Sequence, residues 1–231
     1  MKYRHIFFDL DHTLWDYEAN ARMTLTQLYD EFGLKKLGVT DFEQFYSTYS
    51  AHNEKLWARY RNGLIRADEL RWKRMSQTLL EFRIGNEQLA KDLGIKFLDL
   101  LPMRNLLFPD TVNTLDFLRN KGYHLHIITN GFEETQHYKL RNSGIDHFFD
   151  EVITSEGSNS IKPKKEIFDY ALKKANALQD QSIMIGDSPD VDIQGAINAG
   201  IDQVFMNHTH AVCSVQPTYM ARSLKELETI F

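Results

Sequence analysis

Cysteine is almost absent from this chain of 231 residues: the single one, Cys213, leaves no intrachain disulfide to form, which fits a reducing compartment. Proline is scarce as well, five in all, and none precedes Pro102. No uninterrupted run of 18 apolar residues occurs, so no hydrophobic membrane-spanning helix is expected. The apolar stretch after Met1-Lys2-Tyr3-Arg4-His5 is cut short by Asp9 and Asp11, too early for the core of a signal peptide. A cytoplasmic protein is the expectation. An excess of positive charge is lacking too: 27 Lys and Arg stand against 32 Asp and Glu, a net −5. A nucleic-acid polymer is therefore not the expected partner, and any anionic ligand must be drawn by local charge. There is no internal repeat, no low-complexity tract and no Walker-type phosphate loop, which speaks against an NTPase.

What is present is ordinary for a globular fold, 42% hydrophobic and 26% charged. At about 150 residues per domain the length corresponds to about 1.5 domains, so one large domain and a domain with a smaller companion are both open. Short β-branched or aromatic runs ending at polar residues occur at Arg4–Asp9, Tyr123–Thr129, Glu151–Thr154, Ser182–Asp187 and Gln203–Asn207. Between the later runs lie helical spacings over Val112–Asn120, Thr135–Asn142, Lys165–Ala175 and Val191–Ala199. Strands alternating with helices of this length predict an α/β fold, a Rossmann-like parallel sheet flanked by helices. Residues 16–104 read differently, with almost no strand signal. Amphipathic stretches Ala19–Phe32, Asp41–Tyr60, Ala67–Phe82 and Glu87–Leu101, separated at Gly33, Gly38, Asn62-Gly63 and Gly85-Asn86, predict an inserted all-helical segment. The α/β core is then residues 1–15 with 105–231, and the insertion is 16–104.

In a parallel sheet, ligands sit beyond the carboxyl ends of the strands. At the first such end, Asp9 and Asp11 stand two apart and project to the same side of an extended chain, about 6–7 Å apart along it. Paired carboxylates repel unless a cation or a shared proton offsets them, and a hard cation such as Mg²⁺ takes oxygen ligands. The second end offers Thr129-Asn130-Gly131, a hydroxyl and exposed backbone N–H groups, with a glycine that permits close approach to an anion. Lys162-Pro163 follows the third strand, Pro163 biasing Lys162 to an extended conformation. Gly186-Asp187 with Asp192 closes the fourth. Taken singly these read as turn acids, a glycine bend, a surface lysine and a capping loop. Four strand ends of one sheet are a less accidental set.

In order and spacing, Asp9-Leu10-Asp11-His12-Thr13, Thr129-Asn130-Gly131, Lys162-Pro163 and Gly186-Asp187…Asp192 resemble the four motifs of the haloacid dehalogenase-like hydrolase superfamily, with a helical cap inserted after the first. The cap stretch Leu56-Trp57…Tyr60…Asn62-Gly63…Ile65 is similar to the YjjG-type 5′-nucleotidase subgroup. The resemblance implies a Mg²⁺-dependent phosphomonoesterase whose substrate is a nucleoside 5′-monophosphate. Asp9 would be the nucleophile that forms an aspartyl-phosphate. Mg²⁺ would bind the Asp9 and Asp187 side chains and the Asp11 main-chain carbonyl. Asp11 would act as acid and then base, which requires burial to keep it protonated at the outset. Thr129, Asn130, Gly131 and Lys162 would hold the phosphate, with Asp192 orienting Lys162 or a metal-bound water. The cap is expected to close over the site and choose the leaving group, with Trp15, Trp57, Tyr60 and Asn62 as candidates for substrate contact. The alternatives are a phosphatase for phosphoglycolate or a sugar phosphate, or a mutase. A 2-haloacid dehalogenase is disfavoured, because that branch lacks the second aspartate, and a non-catalytic binding protein is disfavoured by the intact motifs. His208 and His210, with Cys213 nearby, lack a fourth ligand for a transition metal.

Overall fold

The structure is a computed structural model and describes residues 2–210 and 212–231. The chain divides into two units, Met1–Tyr17 with Asn105–Phe231, and Glu18–Arg104.

In the first unit, β1 (His5–Phe8), β2 (His124–Thr129), β3 (Glu151–Thr154), β4 (Ser182–Gly186), β5 (Asp202–Met206) and β6 (Tyr219–Ala221) form a six-stranded sheet in the order β3-β2-β1-β4-β5-β6, all pairs parallel. Ile6, Phe7 and Phe8 of β1 are fully buried, as a strand covered on both faces must be. Phe7, Ile128, Ile153 and Met184 share a core cluster with Ile167 and Phe168 of the helix Lys165–Lys174. β1 lies between β2 and β4, so the strand order reverses beside it. Crevices open at such a reversal, beyond the carboxyl ends.

Two features depart from the sequence pattern. β6 has only three residues, of which Tyr219 and Met220 are exposed, so no apolar run announces it. Where one helix is expected over Val191–Ala199, there is a π-helical turn over Pro189–Ile193 followed by a short helix, Gln194–Asn198. Ser188 O accepts from both Asp192 N–H (2.9 Å) and Ile193 N–H (3.2 Å). The second bond spans five residues and widens the turn.

The second unit is helical: α1 (Tyr17–Glu31, beginning at the boundary residue), α2 (Phe42–Arg61), α3 (Ala67–Glu81) and α4 (Glu87–Leu100). Asp41 caps α2 by accepting from Glu43 N–H at 2.8 Å, and Asn86 caps α4 by accepting from Leu89 N–H at 3.0 Å. The first unit adds α5 (Thr111–Asn120) and α6 (Glu133–Asn142). Among the described residues no helix is long and apolar enough to cross a membrane.

Candidate active site

Phe8, the last residue of β1, is in register with Ile185, and β4 runs one residue further to Gly186, so Asp9 and Asp187 follow at neighbouring strand ends. Asp9 N–H extends the pairing by donating to Ile185 O at 2.8 Å. The chain then turns sharply: His12 adopts φ 66°, and the N–H groups of Leu14 and Trp15 both donate to Leu10 O, at 3.0 and 2.9 Å. This brings Thr13 Oγ1 to Asp187 Oδ1, a donated bond of 3.1 Å. Behind the turn, His208 stacks on Phe108, centroids 4.0 Å apart, with Nε2 3.1 Å from Thr13 O. The carboxylates of Asp9, Asp187 and Asp192 have oxygens within 4.8 Å of one another.

Lys162 enters this group from the loop after β3. Its side chain is 1% exposed, and its ammonium lies 2.5 Å from Asp9 Oδ1, 2.7 Å from Asp192 Oδ1 and 2.7 Å from Ile128 O. Asn130 fastens the lysine's backbone in both directions: Lys162 N–H donates to Asn130 Oδ1 at 2.8 Å, and Asn130 Nδ2 donates to Lys162 O at 3.0 Å. The Asn130 amide is thereby committed to placing Lys162. Asp192 is held on its other oxygen by Ser188 N–H at 3.0 Å. It also packs where a side chain on Gly186 would stand, a Cβ there lying 2.4 Å from Asp192 Cγ.

Thr129 Oγ1 accepts from Gln136 Nε2 at 2.6 Å and from Gly131 N–H at 3.1 Å. With its acceptor positions used twice, the hydroxyl proton is left to donate. Gly131 has a packing role as well. A Cβ there would meet Gln136 Nε2 at 2.2 Å, so the glycine makes room for that amide.

Asp11 differs from the expectation. The carboxyl is 23% exposed rather than buried, and Lys139 Nζ donates to Oδ1 at 2.6 Å and to Oδ2 at 2.8 Å, while Gln136 Nε2 donates to Oδ2 at 2.9 Å. The side chain thus faces an ammonium on α6 and stands outside the Asp9–Asp187–Asp192 group. Trp15 is also corrected: it is fully buried, offers no free indole face, and lies under the Lys139 ammonium at 4.4 Å. Trp57 and Tyr60 sit on α2 with rings edge to face at 5.7 Å. Asn62 caps the C-terminus of that helix by donating to Ala58 O at 2.8 Å.

Burial pushes the Asp9 carboxyl well above its ordinary value, a pull that Lys162 opposes and Asp192 and Asp187 reinforce. Burial, then the charge of Asp192, raises Asp187 to about 7. Burial works against a charged Lys162, but the carboxylates of Asp192 and Asp9 outweigh it and raise its pKa. Three grouped carboxylates, two of them paired with one ammonium, leave a deficit of positive charge. The donors are all oxygen, and that combination suits a hard divalent cation.

The haloacid dehalogenase-like hydrolase family model matches residues 3–200. This chain belongs to the haloacid dehalogenase-like hydrolases. The pyrimidine 5′-nucleotidase PynA of Streptococcus pneumoniae is 33% identical, over 98% of this chain and 94% of that protein. The pyrimidine 5′-nucleotidase YjjG of Escherichia coli is 31% identical, over 100% of this chain and 98% of that protein. Among solved structures, the magnesium-bound HAD-hydrolase YfnB of Bacillus subtilis superposes with a TM-score of 0.91 at 29% identity, covering 100% of this chain and 99% of that one.

Membership places an enzyme of the hydrolase class on the sheet the sequence predicts. It leaves Gln136 and Lys139 to be found by geometry. These are polar residues three apart on α6, both buried. A signal was available in that spacing, since positions i and i+3 share a helix face, but nothing in the sequence says that this face turns inward.

Proposed function

We propose that the chain is a Mg²⁺-dependent phosphomonoesterase that hydrolyses nucleoside 5′-monophosphates through a phosphorylated Asp9. The observation that carries this reading is the buried Asp9 carboxylate, paired with Lys162 at 2.5 Å and grouped with Asp187 and Asp192. The nucleoside part rests on the two full-length relatives named as pyrimidine 5′-nucleotidases. Asp9 and Asp187, with the Asp11 main-chain carbonyl, would hold the cation. When bound, Mg²⁺ supplies the positive charge that keeps these carboxylates ionised and lets an anionic phosphate approach.

The chain's own residues then divide the work. Asp9 attacks phosphorus; an ionised carboxylate needs no base to do so. Lys162 and the Thr129 hydroxyl stabilise the transferring oxygens, where charge concentrates. Asp192 and the Asn130 amide keep Lys162 aimed, one at its ammonium and the other at its backbone. Asp11 exchanges the proton, first with the leaving oxygen and then with water. Nucleoside choice is assigned to the helical segment 16–104, Trp57, Tyr60 and Asn62 among its residues. A reducing, cytoplasmic setting suits a chain with a lone cysteine.

The test is phosphate release with Mg²⁺ from a panel of nucleoside monophosphates, sugar phosphates and phosphoglycolate. Preference for nucleotides is expected. Equal, negligible turnover throughout overturns the phosphatase reading, and preference for a sugar phosphate or phosphoglycolate overturns the nucleotide part alone.

A further inference from the structure

Asp11 does not sit loosely at the rim of the site. Lys139, 3% exposed, puts its ammonium on both carboxylate oxygens, and Gln136 reaches the same carboxylate at 2.9 Å. Both come from one face of α6, and each is itself anchored. The Lys139 ammonium rests on the Trp15 ring at 4.4 Å, and Gln136 Nε2 also donates to Thr129 Oγ1 at 2.6 Å. The second carboxylate after β1 is therefore tied to the end of β2 through a single amide. A carboxylate accepts about four hydrogen bonds, so the three made here fix its plane and leave acceptor capacity for one more donor.

We propose that Gln136 and Lys139 are positioning residues that hold Asp11 as the base for the second half of the reaction, hydrolysis of the phosphorylated Asp9. The inference rests on the phosphatase reading above. In that step the water oxygen bonds to phosphorus. The bond between phosphorus and the Asp9 oxygen breaks, returning its electron pair to the carboxylate. One water proton passes to Asp11 and the other stays on the released phosphate. Neither α6 side chain touches the reacting atoms. They set the position from which Asp11 takes its proton, and a misplacement of about 1 Å in such a group can slow a reaction about 100-fold.

The experiment uses p-nitrophenyl phosphate, whose nitrophenolate departs without needing a proton, so the first half-reaction is indifferent to Asp11. In Lys139→Met, kcat should fall about 10- to 100-fold. Its kcat/KM, which ends at formation of the phosphorylated enzyme, should stay within about 3-fold, so KM falls with kcat. In Gln136→Leu kcat should fall at least as far, and kcat/KM should fall with it because Thr129 loses the same amide. Rapid mixing of Lys139→Met should show a burst approaching one nitrophenolate per enzyme molecule. Asp11→Asn should give the same pattern more strongly, and adding Lys139→Met to it should change nothing further, as expected of groups acting as one unit. In Lys139→Met, a parallel fall of kcat and kcat/KM without a burst, or an unchanged kcat, overturns the proposal. Should Lys139→Met fail to fold, Lys139→Gln decides on the same two constants. A parent enzyme that releases no phosphate, or an Asp9→Asn variant that keeps its rate, instead brings down the phosphatase reading.

Discussion

Gly186 ends β4 where there is no room for a side chain. A Cβ there would lie 2.4 Å from Asp192 Cγ and 2.5 Å from both its Cβ and its Oδ2. Carbon contacts are comfortable at about 3.5–4.0 Å, so in Gly186→Ala either Asp192 or the strand must move by about 1 Å. Asp192 is not a free surface chain: Lys162 holds it at 2.7 Å and Ser188 N–H at 3.0 Å. Overpacking a close-packed core costs about 1–3 kcal/mol, and breaking a buried ion pair costs about 3–5 kcal/mol when a partner is left alone. Lys162 keeps Asp9 at 2.5 Å, so only part of the second cost applies, and the sum is roughly 2–4 kcal/mol. A chain of this size shifts its melting midpoint by about 2–4 °C per kcal/mol. A fall of roughly 4–16 °C is expected in thermal unfolding followed by circular dichroism, with a loss of turnover because Lys162 loses one of its two carboxylates. Gly85→Ala is the comparison. Its Cβ would have no neighbour within 4 Å, so the midpoint should move less. A Gly186→Ala protein melting within about 1 °C of the parent, at full activity, would refute the packing argument.

Three further outcomes are expected. Asp9→Asn should lower phosphate release by about three orders of magnitude or more while circular dichroism stays that of the parent, and a retained rate would remove Asp9 as nucleophile. Chelating the metal should abolish turnover, and Mg²⁺ should stabilise the protein more at high pH than at low. The metal-free folded state holds Asp187 at about 7 against an ordinary 3.8, so its stability is fullest below the ordinary value and declines as pH rises toward 7, by at most on the order of 4 kcal/mol. A Mg²⁺-induced shift in melting midpoint that is the same at low and high pH would contradict this. His126 acts with the opposite sign, because burial, reinforced by His5, lowers it to about 4 from an ordinary 6.5. Its stabilisation is complete above the ordinary value and is lost as pH falls toward 4, by about 3 kcal/mol. Urea unfolding of the Mg²⁺-loaded parent against His126→Phe should show the parent losing more stability on acidification, and parallel losses in the two proteins would count against it.

The sheet was legible because its strands are short apolar runs, each bounded by a polar residue, and because buried parallel strands carry no confusing alternation. The same logic made Asp9, Asp11, Thr129, Lys162 and Asp187 readable as a group, since the carboxyl ends of neighbouring strands in one sheet face one crevice. β6 escaped notice because exposed Tyr219 and Met220 give no burial pattern to read. The π-helical turn escaped it because it arises from Ser188 O accepting two N–H groups, a property of geometry rather than composition. Gln136 and Lys139 were hidden for a chemical reason: polar residues on a helix are read as solvent-facing, and only the fold turns them toward Asp11. Trp15 was misread for the converse reason, because an aromatic beside a motif gives no sign whether its face is free or already covered by an ammonium.

Charge balance explains why two lysines, and not one, stand among these acids. Asp11 and Lys139 form a pair that is neutral by itself. Asp9 and Asp192 share the single ammonium of Lys162, with Asp187 grouped beside them, which leaves two negative charges unmatched when all three are ionised. A divalent cation closes that deficit, whereas a fourth unpaired carboxylate would reopen it. Lys139 therefore withdraws Asp11 from the electrostatics of the three-carboxylate group. The division also resolves how an acidic chain, net −5, can receive an anion: attraction at the site is set by the local balance, because buried charges are screened far less by salt than those on the surface.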